Sequence, residues 1–116
     1  MEPTIRPNAG LCTVIVTVDA ASQVIAELEA HARYGLARFP DFAGFVAGAL
    51  HRSTGTGADG ARLVQYLQWK TEADHLACVN DPRWDELPST ARFMELVASG
   101  QATIDVRTYD VLAVGG

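Results

Sequence analysis

The 116-residue chain has little of the chemistry that marks disulfide-rich or nucleic-acid-binding proteins. Its only cysteines, Cys12 and Cys78, fall in a predicted strand and a predicted helix. Thiols in such positions are usually buried, so we expect free cysteines rather than a disulfide or a redox pair. The nine Lys and Arg are scattered and outnumbered by 14 acidic residues, which gives a net charge of −5. Phosphate binding needs clustered basic residues, and nucleic acid is therefore not an expected partner.

Signals for membranes and export are also missing from the sequence. No apolar run approaches the ~20 residues that span a bilayer. Residues 1–10 lack the charged-then-apolar layout of a signal peptide. We therefore expect a cytoplasmic protein with no membrane partner, in which residues 1–10 form a flexible N-terminal arm.

Motifs for metals and nucleotides are absent as well. The three histidines, His31, His51 and His75, share no zinc-ligand spacing with one another or with the cysteines. The glycines of residues 54–60 open no predicted helix and lack the spacing and the lysine of a phosphate loop. The sequence therefore predicts no metal and no other cofactor.

What the chain does contain is the composition of one globular domain, which we assign to residues 11–116. Its 48% apolar and 20% charged residues are ordinary for a soluble protein of this size. Apolar residues alternate as in strands or recur at helical spacing along most of the domain. The predicted strands are 11–18, 43–53, 62–69 and 103–114, and the predicted helices are 23–39, a short one after Thr71, and a segment from Pro82 to Gly100 that Pro88 interrupts.

Residues at the element boundaries support this division. Asp19 or Ser22 can cap the first helix, Thr71 the second, and Asp81 the third segment. The glycine-rich turn at 54–60 makes the second and third strands a hairpin. In the second strand, alternation predicts that Phe45 and His51 share one face and that Leu50 lies on the other.

The order β-α-β-β-α-β predicts an α+β fold of the ferredoxin-like type. In that arrangement a four-stranded antiparallel sheet carries helices on one face. Strands rich in Val and Leu cannot leave the second face in water, and the chain has no further layer to cover it. We therefore expect a second copy of the chain to cover it, giving a homodimer.

Three stretches of sequence resemble one known family. "PDFAGFVAGALHRST" (40–54), "LVQYLQWKTEADH" (63–75) and "DPRW" (81–84) are similar to the motifs of the antibiotic biosynthesis monooxygenases, which are small dimeric α+β-barrel proteins. The similarity extends from about Leu11 to Val114, and its most distinctive part is the strand motif that ends at Trp69. The resemblance implies both the fold and the homodimer.

The resemblance also implies a reaction. The polyketide-tailoring members add oxygen to an anthrone or naphthacenone without flavin, metal or haem, because the deprotonated substrate is itself the reductant of O2. The protein then has to supply a dry aromatic pocket, a hydrogen-bonding amide and a proton acceptor. Two other functions remain open: a cyclase or isomerase that uses the same enolate, and a ligand-binding dimer without turnover.

Carried over by position, the resemblance assigns the motif tryptophan to Trp69 and the motif asparagine to Gln65. His75 stands where some members have a tyrosine. Gln65 would bind the substrate's carbonyl or phenol, and Trp69 would stack on its rings. His75 or His51 would take the proton, since histidine titrates near neutral pH. His31 is placed on the first helix, away from the motif.

Four further residues are predicted to bind the substrate: Leu50, Leu67, Trp84 and Phe93. Leu50 and Val14 stand where relatives carry polar residues, so the substrate or the reaction is expected to differ in detail. Each candidate also has a structural interpretation: Trp69 and Trp84 can be core residues, and a lone histidine on a helix is usually solvated. The alternation of residues 63–69 places Gln65 and Trp69 on one face of the strand and Tyr66 and Gln68 on the other. The resemblance implies that the first face lines a cavity beneath the helices and that the second serves the dimer interface.

Overall fold

A computed structural model of the chain describes residues 11–53 and 60–113. The predicted arm at residues 1–10 and the predicted turn at 54–59 lie outside the described residues. The strands are β1 (Cys12–Ala21), β2 (Phe45–Arg52), β3 (Gly60–Trp69) and β4 (Ala102–Tyr109), and the helices are α1 (Ile25–Arg38), α2 (Glu72–Val79) and α3 (Pro88–Ala98), with 3-10 turns at Phe39–Asp41 and Pro82–Glu86.

The four strands form one antiparallel sheet in the order β2-β3-β1-β4. Val16 of β1 lies opposite Gln65 of β3 on one side and Val106 of β4 on the other. Leu63 of β3 packs in one buried cluster with Leu28 of α1 and Leu96 of α3, so the helices cover this face of the sheet. The predicted ferredoxin-like α+β fold is confirmed.

A second buried cluster lies where β1 and β3 meet α2. Val14, Leu67, Trp69 and Cys78 form it, and Phe39 is among the partly buried aromatic residues that pack against it. Cys12 and Cys78 are both free thiols, as predicted. Burial raises the pKa of the Cys78 thiol to about 11, so this thiol is protonated at neutral pH. Within the described residues, no helix combines the length and hydrophobicity that crossing a bilayer requires.

The predicted caps are confirmed for two helical segments and wrong for the first. Thr71 Oγ1 accepts a hydrogen bond from the Asp74 backbone at 3.1 Å, and the Asp81 carboxylate accepts one from the Arg83 backbone at 2.8 Å. Neither Asp19 nor Ser22 caps α1, which begins after Val24 without a side-chain cap. Asp19 instead belongs to β1 and pairs with Arg62 of the neighbouring strand at 2.7 Å.

Two strand predictions are also corrected by the structure. A β-bulge between Phe45 and Ala47 shifts the register of β2, so Phe45 lies opposite Trp69 and shares a face with Leu50 rather than with His51. The predicted last strand extended to residue 114, but β4 ends at Tyr109. Its apolar continuation from Val111 to Ala113 pairs with no strand among the described residues.

Candidate functional site

A cavity of about 500 Å³ lies between the helix-facing side of the sheet and the three helices. Its volume is within the range of small-molecule sites, and its walls are mostly aliphatic and aromatic. Every strand and every helix contributes to it, which is why no single segment of sequence outlines it. Representative wall residues are Val16, Val18, Leu28, Leu63, Met94, Ile104 and Val106.

Gln65 places an amide in this apolar cavity. The residue is half-buried on β3, directly opposite Val16 and Leu50 of the neighbouring strands. Its Nε2 donates to the Ala32 carbonyl of α1 across 3.4 Å, a long hydrogen bond. The amide is therefore positioned but weakly held, and it can exchange this contact for a ligand oxygen at little cost.

His75 lines the same cavity from the first turn of α2. Its side chain is buried, and Nδ1 has no hydrogen-bond partner among the residues that the structure describes. Burial lowers the pKa of His75, and the nearby Glu72 carboxylate opposes this in part. The imidazole is therefore neutral at pH 7 and able to accept a proton inside an apolar space.

Trp84 and Phe39 supply an aromatic part of the cavity wall. The Trp84 indole donates to the Cys78 carbonyl at 2.7 Å, which fixes the ring in place. Phe42 stacks on Trp84 with ring centroids 5.5 Å apart, and Phe39 meets its edge at 5.9 Å. These contacts give the cavity a rigid flat surface of the kind that binds fused rings.

Six of the eight predicted site residues line this one cavity: Gln65, His75, Leu50, Leu67, Trp84 and Phe93. The sequence resemblance suggested the first two, and strand alternation placed Leu67 beside Gln65. Their convergence on one space depends on the packing of α2 and α3 over the sheet, which the structure supplies.

Trp69 is not among the residues that line the cavity. Its side chain is fully buried in the second core cluster, with ring centroids 5.1 Å from Phe45, 5.9 Å from Phe39 and 6.0 Å from His75. Its indole Nε1 has no hydrogen-bond partner among the described residues. Trp69 therefore meets the cavity through its neighbours, and direct stacking of Trp69 on a ligand does not fit this geometry.

His51 lies on the opposite face of the sheet from Gln65. It follows Leu50 in β2, so alternation turns it away from the helices, and its exposed ring lies 5.3 Å from that of Tyr66. It borders a second groove of about 440 Å³ beside Arg52 and Glu29, which shares Leu50 and Leu63 with the cavity. The structure does not bring His51 together with His75.

His31 is the residue that the sequence interpretation missed. It was placed away from the site, but it lines the same cavity as Gln65 and His75. Helical spacing could have found it, because His31 follows the buried Leu28 by three residues and precedes Gly35 by four, and all three line the cavity. In the described parts of the chain, no three His, Cys, Asp or Glu side chains cluster closely enough to hold a metal ion.

Solved structures share this fold across nearly its whole length. A protein from Nitrosomonas europaea, named as a candidate antibiotic biosynthesis monooxygenase, is 16% identical, and the match covers 97% of this chain and all of that one with a TM-score of 0.64. SnoaB from Streptomyces nogalater, a cofactor-independent oxygenase, is 14% identical over 89% of this chain and 95% of its own, with a TM-score of 0.60. A dimeric ferredoxin-like protein from an uncultured marine organism is 20% identical over 90% and 98%, with a TM-score of 0.64.

No protein-family model matches the sequence, and no curated protein does. At these identities the solved structures establish the fold. They also bear out the resemblance seen in the sequence, because proteins named as antibiotic biosynthesis monooxygenases are among those that share it.

Proposed function

We propose that the protein is a cofactor-independent monooxygenase of antibiotic biosynthesis that acts on an aromatic polyketide of the anthrone or naphthacenone type. The observation that carries the proposal is the mostly apolar cavity, in which Gln65 supplies the one side-chain amide among the described lining residues and a neutral histidine, His75, shares the space with aromatic walls. These are the three provisions that substrate-driven oxygenation requires. The fold shared with SnoaB supports the same reaction class.

The reaction begins with removal of a proton from the carbon next to the substrate carbonyl. The enolate passes one electron to O2, and the resulting radical and superoxide combine to form a carbon–oxygen bond. The peroxide then loses water as its oxygen–oxygen bond breaks and a second carbon-bound hydrogen leaves as a proton. For anthrone, the sum is anthrone plus O2 giving anthraquinone plus water.

His75 accepts the first proton in this proposal. A neutral imidazole that burial keeps uncharged is an effective base near pH 7. The imidazolium that forms can return the proton to the departing peroxide oxygen, so the site is restored after each turnover. The mostly apolar walls limit the contact of the enolate with water, which would otherwise quench it.

Gln65 stabilises the enolate oxygen. Its amide N–H exchanges the long contact to Ala32 for a shorter hydrogen bond to the substrate oxygen, which strengthens as negative charge develops. Trp84 and Phe93 take the stacking role that the resemblance assigns to the motif tryptophan, because they line the cavity and Trp69 does not.

We also propose that two copies of the chain form a homodimer through the sheet face that the helices leave uncovered. Ile15, Ala49 and Tyr66 lie side by side on that face, and Tyr66 is 40% exposed. One solved structure with this fold is named as a dimeric protein. Covering this face removes apolar surface from water, which stabilises the pair.

Oxygen uptake in the presence of anthrone tests the function. We expect the purified protein to consume one O2 for each anthraquinone formed, faster than a protein-free control, and to retain its rate after treatment with a chelator. Gln65→Leu should lower kcat/KM by roughly 10²-fold, the scale of losing one hydrogen bond to a developing oxyanion. Gln23→Leu alters an exposed glutamine outside the cavity and should leave the rate unchanged.

Three results would contradict the proposal. Conversion of a polyketide enol without oxygen uptake would indicate a cyclase or isomerase. Tight binding of anthrone without any turnover would indicate a ligand-binding protein. Loss of activity on removal of a bound metal or flavin would show that the substrate is not the sole reductant.

A further inference from the structure

The wall formed by α1 and α3 carries a polar group that the proposed reaction leaves unused. His31 Nδ1 lies 2.7 Å from the Ser89 hydroxyl, and its ring stacks on Phe93 with centroids 5.7 Å apart and planes 21° from parallel. The hydrogen bond and the stack together fix the orientation of the imidazole. Because Ser89 engages Nδ1, a ligand in the cavity would meet the other ring nitrogen, Nε2.

Thr90 adds an unused hydroxyl beside this pair. It follows Ser89 in the first turn of α3 and lines the same cavity. Its Oγ1 is buried and has no hydrogen-bond partner within residues 11–53 and 60–113. An unpaired buried hydroxyl destabilises a protein, so a polar ligand atom that forms a hydrogen bond with Thr90 Oγ1 gains free energy of binding.

The charged groups around His31 pair with one another rather than with the imidazole. Glu27 on α1 accepts from Arg92 of α3 at 2.8 Å, and Arg92 also donates to Glu95 at 2.8 Å. Burial lowers the pKa of His31, and His75 on α2 is the other titratable side chain of the cavity. A neutral imidazole in this position can accept a hydrogen bond, or the proton itself, from a weakly acidic hydroxyl.

We propose that His31, Ser89 and Thr90 form a second polar anchor, which binds a phenolic hydroxyl of the ligand in addition to the carbonyl bound by Gln65. The inference rests on the proposed function in that it takes the ligand to be a fused-ring aromatic. It narrows the substrate class to polycyclic ketones that also carry an acidic hydroxyl. His31 and Thr90 contact that hydroxyl, and Ser89 positions His31.

Binding of two matched probes tests the anchor without requiring turnover. Alizarin carries phenolic hydroxyls on the anthraquinone skeleton, and unsubstituted anthraquinone lacks them. We expect the wild-type protein to bind alizarin at least tenfold more tightly, and the bound dye to show the red-shifted absorption of its phenolate. A single such hydrogen bond corresponds to about a tenfold change in affinity.

Substitutions at three residues separate a role in ligand recognition from a role in structure. His31→Phe keeps a ring for the stack on Phe93 but removes both nitrogens, and it should abolish the preference for alizarin while leaving anthraquinone binding intact. Ser89→Ala should weaken alizarin binding by about threefold to tenfold and reduce the phenolate signal, and Ser89→Thr should restore both. Thr90→Val keeps the side-chain shape; it should weaken alizarin binding and raise the thermal midpoint, because the unpaired hydroxyl is gone.

The outcomes distinguish this inference from the proposed function. If His31→Phe, Ser89→Ala and Thr90→Val all bind both probes as the wild type does, the anchor does not exist, although the oxygenase proposal can stand. If His31→Phe weakens both probes equally, the histidine only shapes the cavity and the inference is wrong. If neither probe binds the wild-type protein, both proposals fail. If the wild type prefers alizarin but consumes no oxygen with anthrone, the anchor proposal stands and the oxygenase proposal is wrong.

Discussion

At the scale of single residues, the two tryptophans differ in whether they reach the cavity. The motif ends at Trp69, but that residue is fully enclosed by Phe45 and Phe39, whereas Trp84 stands in the cavity wall. Strand alternation predicts on which face of the sheet a residue lies, but not how deeply its side chain is buried. Trp69 lies at the end of β3 where aromatic residues of β2 and the Phe39 turn close over it, and those contacts are distant in sequence.

Substituting each tryptophan by phenylalanine distinguishes a tryptophan that stabilises the core from one that binds the ligand. Trp69→Phe leaves a void among packed rings and should lower the free energy of unfolding by about 1–3 kcal/mol, with ligand affinity little changed. Trp84→Phe loses the hydrogen bond to the Cys78 carbonyl and part of the stacking surface, so it should weaken anthrone binding by roughly threefold to tenfold. Urea unfolding and fluorescence titration measure the two effects. A stable Trp69→Phe protein that no longer binds anthrone would assign the stacking role to Trp69.

At the scale of elements, the order of strands and helices was predictable, but the ends of several of them were not. Period-two and helical patterns arise from burial on one face, so they are visible in a single sequence. The sequence predicts that Asp19 caps a helix. In the structure Asp19 belongs to β1 and forms an ion pair with Arg62, a contact that becomes visible only when the paired strand is known. The bulge that moves Phe45 to the cavity side of β2 likewise depends on the register with β3.

Two glycines allow a test of how the loop before β2 is held. Gly44 and Gly100 both have positive φ, 85° and 80°, but a Cβ on Gly44 would collide with the Asp74 side chain of α2, whereas one on Gly100 would meet open space. Gly100→Ala should cost about 1–2 kcal/mol of stability, from the left-handed backbone alone. Gly44→Ala should cost more, because α2 must also shift.

Chemical denaturation of the two glycine variants measures this difference. Since α2 carries His75, Gly44→Ala should also weaken anthrone binding, and Gly100→Ala should not. Equal losses of stability in both variants would mean that the contact between the loop and α2 contributes nothing.

At the scale of the whole molecule, the sheet separates two surfaces with different roles. Its helix-facing side forms one wall of the cavity, and its other side presents Ile15, Val64 and Tyr66. The sequence could predict that the second side needs a cover, because the chain supplies helices for one face only. It could not predict the cavity, whose walls come from four strands, three helices and both 3-10 turns.

The homodimer can be tested with a matched pair of tyrosines. Tyr66 is 40% exposed on the uncovered sheet face, and Tyr34 is 46% exposed on α1, where Arg38 lies over its ring. Light scattering of the wild type at micromolar concentration should give twice the 12.4 kDa chain mass. Tyr66→Asp buries a charge in the interface and should give a monomer, whereas Tyr34→Asp should remain a dimer. A monomeric wild type, or a dimer that survives Tyr66→Asp, would contradict the proposed interface.

The pH dependence of kcat/KM for anthrone oxidation tests the central claim, that the cavity holding His75 performs the chemistry. Only the neutral imidazole accepts a proton, and burial lowers the pKa of His75 below its ordinary value of 6.5. After subtraction of the protein-free rate, the rate should rise with pH along a limb centred below 6.5 and level off at neutral pH. His75→Phe should lower the plateau value of kcat/KM by roughly 10²-fold or more and abolish its rise with pH. His51→Phe, a substitution on the opposite face of the sheet, should give the wild-type pH profile. A full rate in His75→Phe, or its loss in His51→Phe, would show that the cavity beneath the helices is not where the proton is taken.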